Sequence, residues 1–382
     1  MIAGPKVLLA GGGSAGHVNP LLSVADTLQN RGFIPEALGT AEGLEAELVP
    51  AAGLALHTID KVPAPRSVNS DIFRFVPRLK ATIAEVEKII RSSGSEIVVG
   101  FGGYVSAPAY LAAQRVGIPF AIHEQNVRPG LANRLGARAA KVVALTFENT
   151  KLRAKRGTTE VVGLPLRPEI ERLARDRQDP KKRRQRRVAA ARELGIDPKR
   201  PTVLLTGGSL GAQRLNDVMS QAAGHFDSRV QIIHLTGYGK ADGIAQTVAH
   251  SGFTGSWKVV EYARNMEFFY AVADLVICRA GAGTVSELTA LGMPAVYIPL
   301  PIGNGEQRLN AAAHVQSGGA LLFDNSDLSD QIVRLWIAPL ATATDRLSKM
   351  SRSSRRLGRI DAAARMGELI ESLVQPQLEV RP

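Results

Sequence analysis

One cysteine in 382 residues, Cys278, rules out an internal disulfide. It ends the run Leu275-Val276-Ile277-Cys278, where a buried strand thiol is expected rather than a nucleophile. Aromatic residues make up only 5% of the chain, so the base-stacking surfaces of a single-strand nucleic-acid binder are poorly supplied. No uninterrupted apolar run reaches the roughly 18 residues of a membrane span. The opening Met1-Ile2-Ala3-Gly4-Pro5-Lys6 enters a strand at once, without the charged start, apolar stretch and cleavage site of a signal peptide. A cytoplasmic protein is expected.

Charge is present in excess of one sign. The formal net charge is +12, which favours an anionic partner: nucleic acid, an anionic membrane face or a phosphorylated substrate. Basic residues concentrate in Lys181-Lys182-Arg183-Arg184-Gln185-Arg186-Arg187 and again over 346–359, neither run interleaved with aromatics. Both also fit solvated helix or loop faces.

A glycine-rich turn occurs twice, about half a chain apart. Gly11-Gly12-Gly13-Ser14-Ala15-Gly16-His17 follows the apolar run Lys6-Val7-Leu8-Leu9-Ala10. Gly207-Gly208-Ser209-Leu210-Gly211-Ala212 follows Val203-Leu204-Leu205-Thr206. Each reads as a strand, a turn that glycine permits, and a helix, the start of a βα unit. The 45% apolar content fits a globular chain, and this length favours two domains. Two Rossmann-like α/β domains with parallel sheets are expected, with ligands at the carboxyl ends of the strands and so in a cleft between them.

Alternating signals continue along both halves. Strands are expected at 6–10, 34–38, 96–100, 120–123 and 141–145, with helices at 20–30, up to 91 and at 107–116. Gly163-Leu164-Pro165-Leu166-Arg167-Pro168 reads as an extended link, because a residue before proline avoids the helical region. The second half restarts with strands at 201–206, 230–235, 257–260, 275–278 and 295–299, and a last helix over 361–374.

Polar clusters fall at the strand ends. Arg279-Ala280-Gly281-Ala282-Gly283-Thr284-Val285-Ser286-Glu287 opens a helix expected at 285–291. Small residues there let phosphate approach the unpaired first-turn N–H groups, where the helix dipole favours an anion. Glu287, one turn in, suits a ribose diol. The same residues also spell a capping box, with Thr284 as cap and Glu287 as its reciprocal acid. His123-Glu124-Gln125-Asn126 and Gly303-Asn304-Gly305-Glu306-Gln307-Arg308-Leu309-Asn310 are further clusters, with Gln307 and Asn310 on one face if a helix starts there. Gly11-x-Gly13-x-x-Gly16, with Glu36 near the spacing of a ribose-binding acid, also matches a dinucleotide fingerprint.

Taken in order, 11–20, 100–108, 123–126, 163–167, 207–212, 280–287 and 303–310 resemble one family over roughly residues 5–375. It is the undecaprenyldiphospho-muramoylpentapeptide β-N-acetylglucosaminyltransferase family of bacterial cell-wall synthesis. The resemblance implies a glycosyltransferase B fold. It implies an acceptor-side and membrane-side domain over 1–163, rejoined by a helix within 361–382, and a UDP-sugar domain over 164–360. It implies inverting transfer of N-acetylglucosamine from UDP-N-acetylglucosamine to the C4 hydroxyl of undecaprenyl-diphospho-muramoylpentapeptide, giving the β1,4 disaccharide lipid, by a peripheral enzyme on the cytoplasmic face of the cell membrane.

Position by position, the resemblance gives Ser14, Ala15, Gly16, Asn126, Arg167, Ser209, Ala263, Ala282, Gly283, Thr284, Glu287, Gln307 and Asn310 to the donor. In it, Ser209, Ala282, Gly283 and Thr284 meet phosphates or uridine, Ala263 offers backbone to uracil, Glu287 holds the ribose, Gln307 and Asn310 read the sugar, and Arg167 reaches a phosphate. Gly102, Gly103 and Tyr104 fall on the acceptor and diphosphate side. The chain departs from the family pattern at Ser14-Ala15, Leu164, Leu210 and Gly283, where Thr-Gly, Asn, Gln and Leu are familiar.

The reaction needs a base for the attacking hydroxyl and charge neutralisation for departing UDP. No Asp-x-Asp pair is present, so helix N-termini and Arg167 are expected to stabilise the diphosphate, with no metal and no cofactor. His17 is the first candidate base, since imidazole titrates near working pH, and Glu124 the second. Arg66, Arg74, Arg78 and Lys80 surround Ile72, Phe73, Phe75 and Val76, a pattern suited to an anionic bilayer surface. The same spacing also fits a helix whose Ile72, Phe75, Val76 and Leu79 face the core. Rival readings are a glycolipid synthase of the same fold, a nicotinamide-dependent oxidoreductase and, from charge alone, a nucleic-acid-binding protein. The family resemblance favours none of the three, and no nucleic-acid partner is expected.

Overall fold

The computed structural model describes residues 4–62, 71–208, 211–301 and 304–378, leaving out the side chains of 71–74 and 375–378. It divides into two compact units, one of Met1–Arg167 with Asp361–Pro382 and one of Pro168–Ile360. The residues of 164–167 lie with the first unit.

The first unit runs β1 (Lys6–Ala10), α1 (Ala15–Asn30), β2 (Ile34–Gly39), α2 (Glu45–Ala51), β3 (Leu56–Thr58), α3 (Asp71–Ser93), β4 (Ile97–Gly100), α4 (Ser106–Val116), β5 (Phe120–Glu124), α5 (Leu131–Gly136), β6 (Val142–Leu145) and β7 (Thr158–Val161). Among the described residues these strands form a seven-stranded parallel sheet in the order β3-β2-β1-β4-β5-β6-β7. Alternation along each strand splits the core between the two faces. Val7, Leu9, Ile97 and Val99 join one cluster, while Leu8, Ala10 and Val98 join the other.

The second unit runs α6 (Pro168–Asp176), α7 (Pro180–Leu194), β8 (Thr202–Thr206), α8 (Gln213–Gln221), β9 (Gln231–Leu235), α9 (Ala241–Ala249), β10 (Ser256–Val260), α10 (Met266–Val272), β11 (Leu275–Cys278), α11 (Ala282–Ala290), β12 (Ala295–Tyr297), α12 (Glu306–Gln316), β13 (Ala320–Leu322), α13 (Asp330–Ile332) and α14 (Thr344–Leu357). Its described strands form a six-stranded parallel sheet in the order β10-β9-β8-β11-β12-β13. The chain then returns to the first unit as α15 (Ala362–Leu378). Met366, Ile370 and Val374 of α15 pack with Leu21, Val24 and Leu28 of α1. Arg31 pairs with Glu371 at 2.8 Å and with Glu368 at 3.7 Å alongside them.

Several elements differ from the sequence reading. β3, β7 and β13 are three or four residues long, too short for alternation to register. The basic run 181–187 lies on helix α7, which Asp179 caps by accepting from Lys181 N and Lys182 N. α11 begins at Ala282, three residues before the position expected. Val76 is exposed, so the apolar stripe of α3 seats Ile83, Val86 and Ile90 instead, with Leu79 only partly covered. Ser209, Leu210, Gly303 and Arg66 lie outside the described residues, as do the side chains of Phe73 and Arg74.

Candidate functional site

In each sheet the strand order reverses once, between β1 and β4 and between β8 and β11. Loops leaving adjacent strands toward opposite faces open a crevice at such a point. Both glycine turns and both strand-end clusters following β4 and β11 fall there.

In the first unit, the loops after β1 and β4 touch. Gly103 has φ +84°, and a Cβ on it would lie 2.6 Å from the Gly12 carbonyl, so only glycine fits. Ser106, fully buried, accepts from Gly102 N at 2.9 Å and donates to Gly102 O at 2.8 Å, fixing that turn. His17, in the first turn of α1, donates Nδ1–H to Gly12 O at 2.9 Å. A carbonyl only accepts, so neutral His17 keeps its lone pair on Nε2. A Cβ on Gly102 would sit 3.0 Å from that nitrogen. Ser14 Oγ lies 3.2 Å from His17 Nδ1, and Ser14 is the N-cap of α1 without a side-chain cap bond. The Ala15 and Gly16 amides belong to the first turn, which has no intrahelical acceptors.

Two acids take structural duties. Glu45 is fully buried and accepts from Gly13 N at 2.8 Å, Thr40 N at 3.0 Å and Thr40 Oγ1 at 2.7 Å. Burial raises its pKa, but the bonds from Gly13 and Thr40 outweigh it and hold the carboxyl below its ordinary value. Glu45 thus anchors the first glycine turn, a role without a sequence signal because 32 residues separate the partners. Glu124, expected as the alternative base, is corrected by its surroundings. It is 2% exposed and accepts from Asn126 N (2.9 Å), Gly130 N (3.0 Å) and Asn133 Nδ2 (2.9 Å). With its two oxygens taken up by these three donors, the carboxylate shapes the loop that carries Asn126. Tyr110 donates to Asn133 Oδ1 at 2.7 Å and completes the chain.

His123 is fully buried, donates Nε2–H to Gly163 O at 2.8 Å and has Gln125 Nε2 3.2 Å from its Nδ1. Burial, partly offset by the Gly163 bond, pushes its pKa down to about 4, so it is neutral at pH 7. Arg167, half-buried, ends the first unit just after this anchor. Tyr104 is 44% exposed, with Lys61 Nζ 4.9 Å above its ring. Arg78 and Lys80 are exposed on α3. Glu36, the residue that a dinucleotide site would need, lies within β2, bonded to His57 Nε2 at 2.6 Å and 3.9 Å from Lys6 Nζ. That engagement removes it from any ribose and corrects the dinucleotide reading.

In the second unit, α11 starts with Gly281 as N-cap and no side-chain cap bond. Thr284 is therefore the third helical residue, and the capping box does not form. The amides of Ala282, Gly283 and Thr284 are first-turn donors without intrahelical acceptors. A Cβ on Gly281 or Gly283 would meet no atom within 4 Å, so the turn is open. Glu287, one turn on, accepts from the Tyr270 hydroxyl at 2.9 Å. Tyr270 lies on α10 and is 2% exposed; the sequence carries no hint of this pairing. Gln307 lies in the first turn of α12, where its Oε1 accepts from Ala280 N at 3.1 Å and Leu300 N at 2.9 Å. These two bonds fix the amide through its oxygen. Asn310, one turn further and 1% exposed, shares that face. Arg279 donates to Ile298 O, Pro299 O and Asn325 Oδ1 at 2.8–3.0 Å, tying the ends of β11 and β12 together. Ala263 lines a cavity of about 480 Å³ beside Tyr238 and Tyr262, whose rings stack at 5.1 Å. Cys278 is 1% exposed, and burial, then the Glu287 charge, pushes its thiol pKa up. It has the inert strand role expected.

The geometry is two sheets, each with an anion-friendly helix start at its switch point. Residues 7–145 match the glycosyltransferase family 28 N-terminal domain, and residues 202–366 match the family 28 C-terminal domain. The chain is 46% identical to a UDP-N-acetylglucosamine–N-acetylmuramyl-(pentapeptide) pyrophosphoryl-undecaprenol N-acetylglucosamine transferase of Bifidobacterium longum, covering 97% of this chain and 98% of the relative. A transferase of the same name from Clavibacter sepedonicus is also 46% identical, covering 96% of each. The crystal structure of Acinetobacter baumannii MurG aligns with TM-score 0.77 and 28% identity, covering 96% of this chain and 99% of that one. The chain therefore belongs to the UDP-N-acetylglucosamine–N-acetylmuramyl-(pentapeptide) pyrophosphoryl-undecaprenol N-acetylglucosamine transferases, with the glycosyltransferase B fold.

Proposed function

We infer that this chain transfers N-acetylglucosamine from UDP-N-acetylglucosamine to the C4 hydroxyl of undecaprenyl-diphospho-muramoylpentapeptide, with inversion to a β1,4 linkage. The observation that carries this reading is the near-full-length likeness to transferases of that name. Residue roles follow the family resemblance, with local geometry as support where the residues are described. In the second unit, the Ala282, Gly283 and Thr284 amides and the α11 dipole receive the donor diphosphate, as fixed dipoles cost no reorganisation when charge develops. Glu287, aimed by Tyr270, accepts from the ribose hydroxyls. The Ala263 backbone meets uracil, Gln307 and Asn310 read the sugar, and Ser209 takes part in phosphate or uridine binding. By the family resemblance, Ser14, Ala15, Gly16, Asn126 and Arg167 also serve the donor, and Gly102, Gly103 and Tyr104 serve the acceptor side.

In the chemical step the acceptor oxygen attacks the anomeric carbon as the bond to the UDP phosphate oxygen breaks. The hydroxyl proton passes to His17 Nε2, the nitrogen left basic by the Gly12 bond. The leaving charge rests on the first turn of α11. Among the described residues, no helix is long and apolar enough to cross a membrane. Contact with the lipid-linked acceptor then falls to a peripheral surface at the cytoplasmic face, with Phe73, Arg74, Arg78 and Lys80 meeting anionic headgroups. Labelled UDP-N-acetylglucosamine and a short-chain acceptor lipid test the reaction. A β1,4-linked N-acetylglucosaminyl product is expected; transfer to another position, or none, rejects the reading.

A further inference from the structure

The two basic runs have no part in the reaction just derived. One lies on α7 and the other on α14 with the turn after it. Within the second unit they meet around a cavity of about 700 Å³. Pro201, Asp274 and Pro294 also line it, immediately before β8, β11 and β12. The cavity therefore opens at the amino edge of the sheet, opposite the first turn of α11.

Its charge is one-sided. Arg177, Arg183, Arg352, Arg355 and Lys199 line it, and among the described residues Asp274 is its one carboxylate. Asp274 is already engaged: Arg187 donates Nη1 and Nη2 to its two oxygens at 2.9 Å each, and Thr202 N donates at 2.9 Å. Among the described residues, the side chains of Arg183 and Arg355 make no hydrogen bond and no ion pair. Arg177 is 6% exposed and is held from behind, donating Nε to Leu291 O at 2.8 Å and Nη1 to Tyr270 O at 3.4 Å. Burial, then repulsion from Arg183 and Arg355, pushes the Arg177 pKa down to about 9. Burial and Arg183 likewise push Arg355 down.

Cations scattered on a surface are solvated and need no ligand. Here they converge on a concavity of the size that takes a small molecule, one of them buried, with no carboxylate left for them. The guanidinium fork matches phosphate oxygens two at a time. Ser348 and Thr344, in the first turn and a half of α14, add hydroxyls to the same wall. Among the described residues no aromatic lines the cavity, so they offer no surface on which a base could stack.

We propose that this cavity binds a phosphate-bearing anion, as a phosphate monoester or diphosphate, separately from the donor site. Such a group reaches the protein either free in solution or as a lipid headgroup.

Inorganic pyrophosphate titrated calorimetrically into full-length protein saturated with UDP tests this, because UDP occupies the donor site and keeps the two readings apart. Binding is expected for the wild type and for Arg346→Gln/Lys349→Gln, which removes equal charge from α14 outside the cavity. Arg183→Gln/Arg355→Gln should bind roughly tenfold or more weakly, the loss of charge-assisted bonds. Arg183→Lys/Arg355→Lys, which keeps charge but not the fork, should fall between, and it stands in if the Gln pair does not fold. Sedimentation with phosphatidic acid vesicles, against phosphatidylcholine vesicles, separates the sources. Vesicle binding that Arg183→Gln/Arg355→Gln abolishes points to a headgroup; pyrophosphate binding with unchanged vesicle binding points to a soluble ligand. If neither probe depends on Arg183 and Arg355, or the control pair loses binding equally, the proposal is overturned.

Discussion

The Tyr270 hydroxyl donates to Glu287 Oε2 at 2.9 Å, so a buried phenol on α10 sets the aim of a carboxylate on α11. Glu287→Ala is expected to raise the donor Michaelis constant by the equivalent of roughly 1.5–3 kcal/mol, the worth of a hydrogen bond to a charged group. Tyr270→Phe keeps the ring and should raise it by about 1 kcal/mol. Donor titrations alongside thermal melts check both. A variant that melts early yet binds UDP normally would show the pair to be structural only.

His17→Ala should lower turnover by roughly 10²–10⁴-fold, the usual worth of general-base assistance. UDP affinity should stay within a few-fold, because the base acts in the transition state. Steady-state kinetics with UDP titration separates the two. Activity close to wild type would leave His17 as a turn residue bonded to Gly12.

Glu45→Gln should destabilise the first unit by about 1–3 kcal/mol at neutral pH, since a charge-assisted acceptor for Gly13 and Thr40 becomes neutral. The folded pKa of Glu45 is depressed, so its contribution is full above the ordinary carboxylate value of 4.5 and fades as pH falls below it. The melting gap between wild type and variant should therefore close in acid. A gap independent of pH would count against the assigned charge.

His123 predicts a second acid effect in a higher window. Its folded pKa is about 4 against an ordinary 6.5, so the unfolded chain binds the extra proton between those values. Stability should be full above pH 6.5 and decline toward pH 4, by at most about 3 kcal/mol from this group. His314, also pushed down to about 4 by burial, should act the same way in the second unit. Urea unfolding across this range checks it; His123→Asn should flatten the slope for the first unit.

Replacing Arg74, Arg78 and Lys80 by Gln should weaken sedimentation with anionic vesicles by roughly 1 kcal/mol per charge at low salt. Transfer to a water-soluble acceptor should be spared. Unchanged vesicle binding would place the membrane contact on another surface.

Chelator should leave transfer largely intact if the first turn of α11 and Arg167 suffice to hold the leaving diphosphate. Complete loss that magnesium restores would overturn that expectation.

The βα repeat, the two switch-point glycine turns and the ordered strand-end motifs were legible in the sequence. Each is a local pattern: a short apolar run, a residue that tolerates positive φ, then a helical period. Those patterns sufficed for the fold; the family followed from the resemblance of the ordered motifs to known sequences. Tertiary structure alone decided what the polar residues at those strand ends do. His17 and Glu124 stand as first and second candidate bases in the chain; in the fold three N–H donors enclose Glu124, while the Gly12 carbonyl leaves His17 a lone pair on Nε2. Thr284 and Glu287 spell a capping box until the helix begins three residues early with Gly281 as its cap. The Glu45–Gly13 and Tyr270–Glu287 pairings carry no local signature, because the partners lie 32 and 17 residues apart. The basic runs, more than 150 residues apart, read as separate solvated faces; packing α7 and α14 beside one sheet edge turns them into a cavity. Spacing along the chain specifies the backbone, because hydrogen bonding and hydrophobic periodicity are local. The role of a titratable side chain depends on which distant donors and charges burial brings beside it.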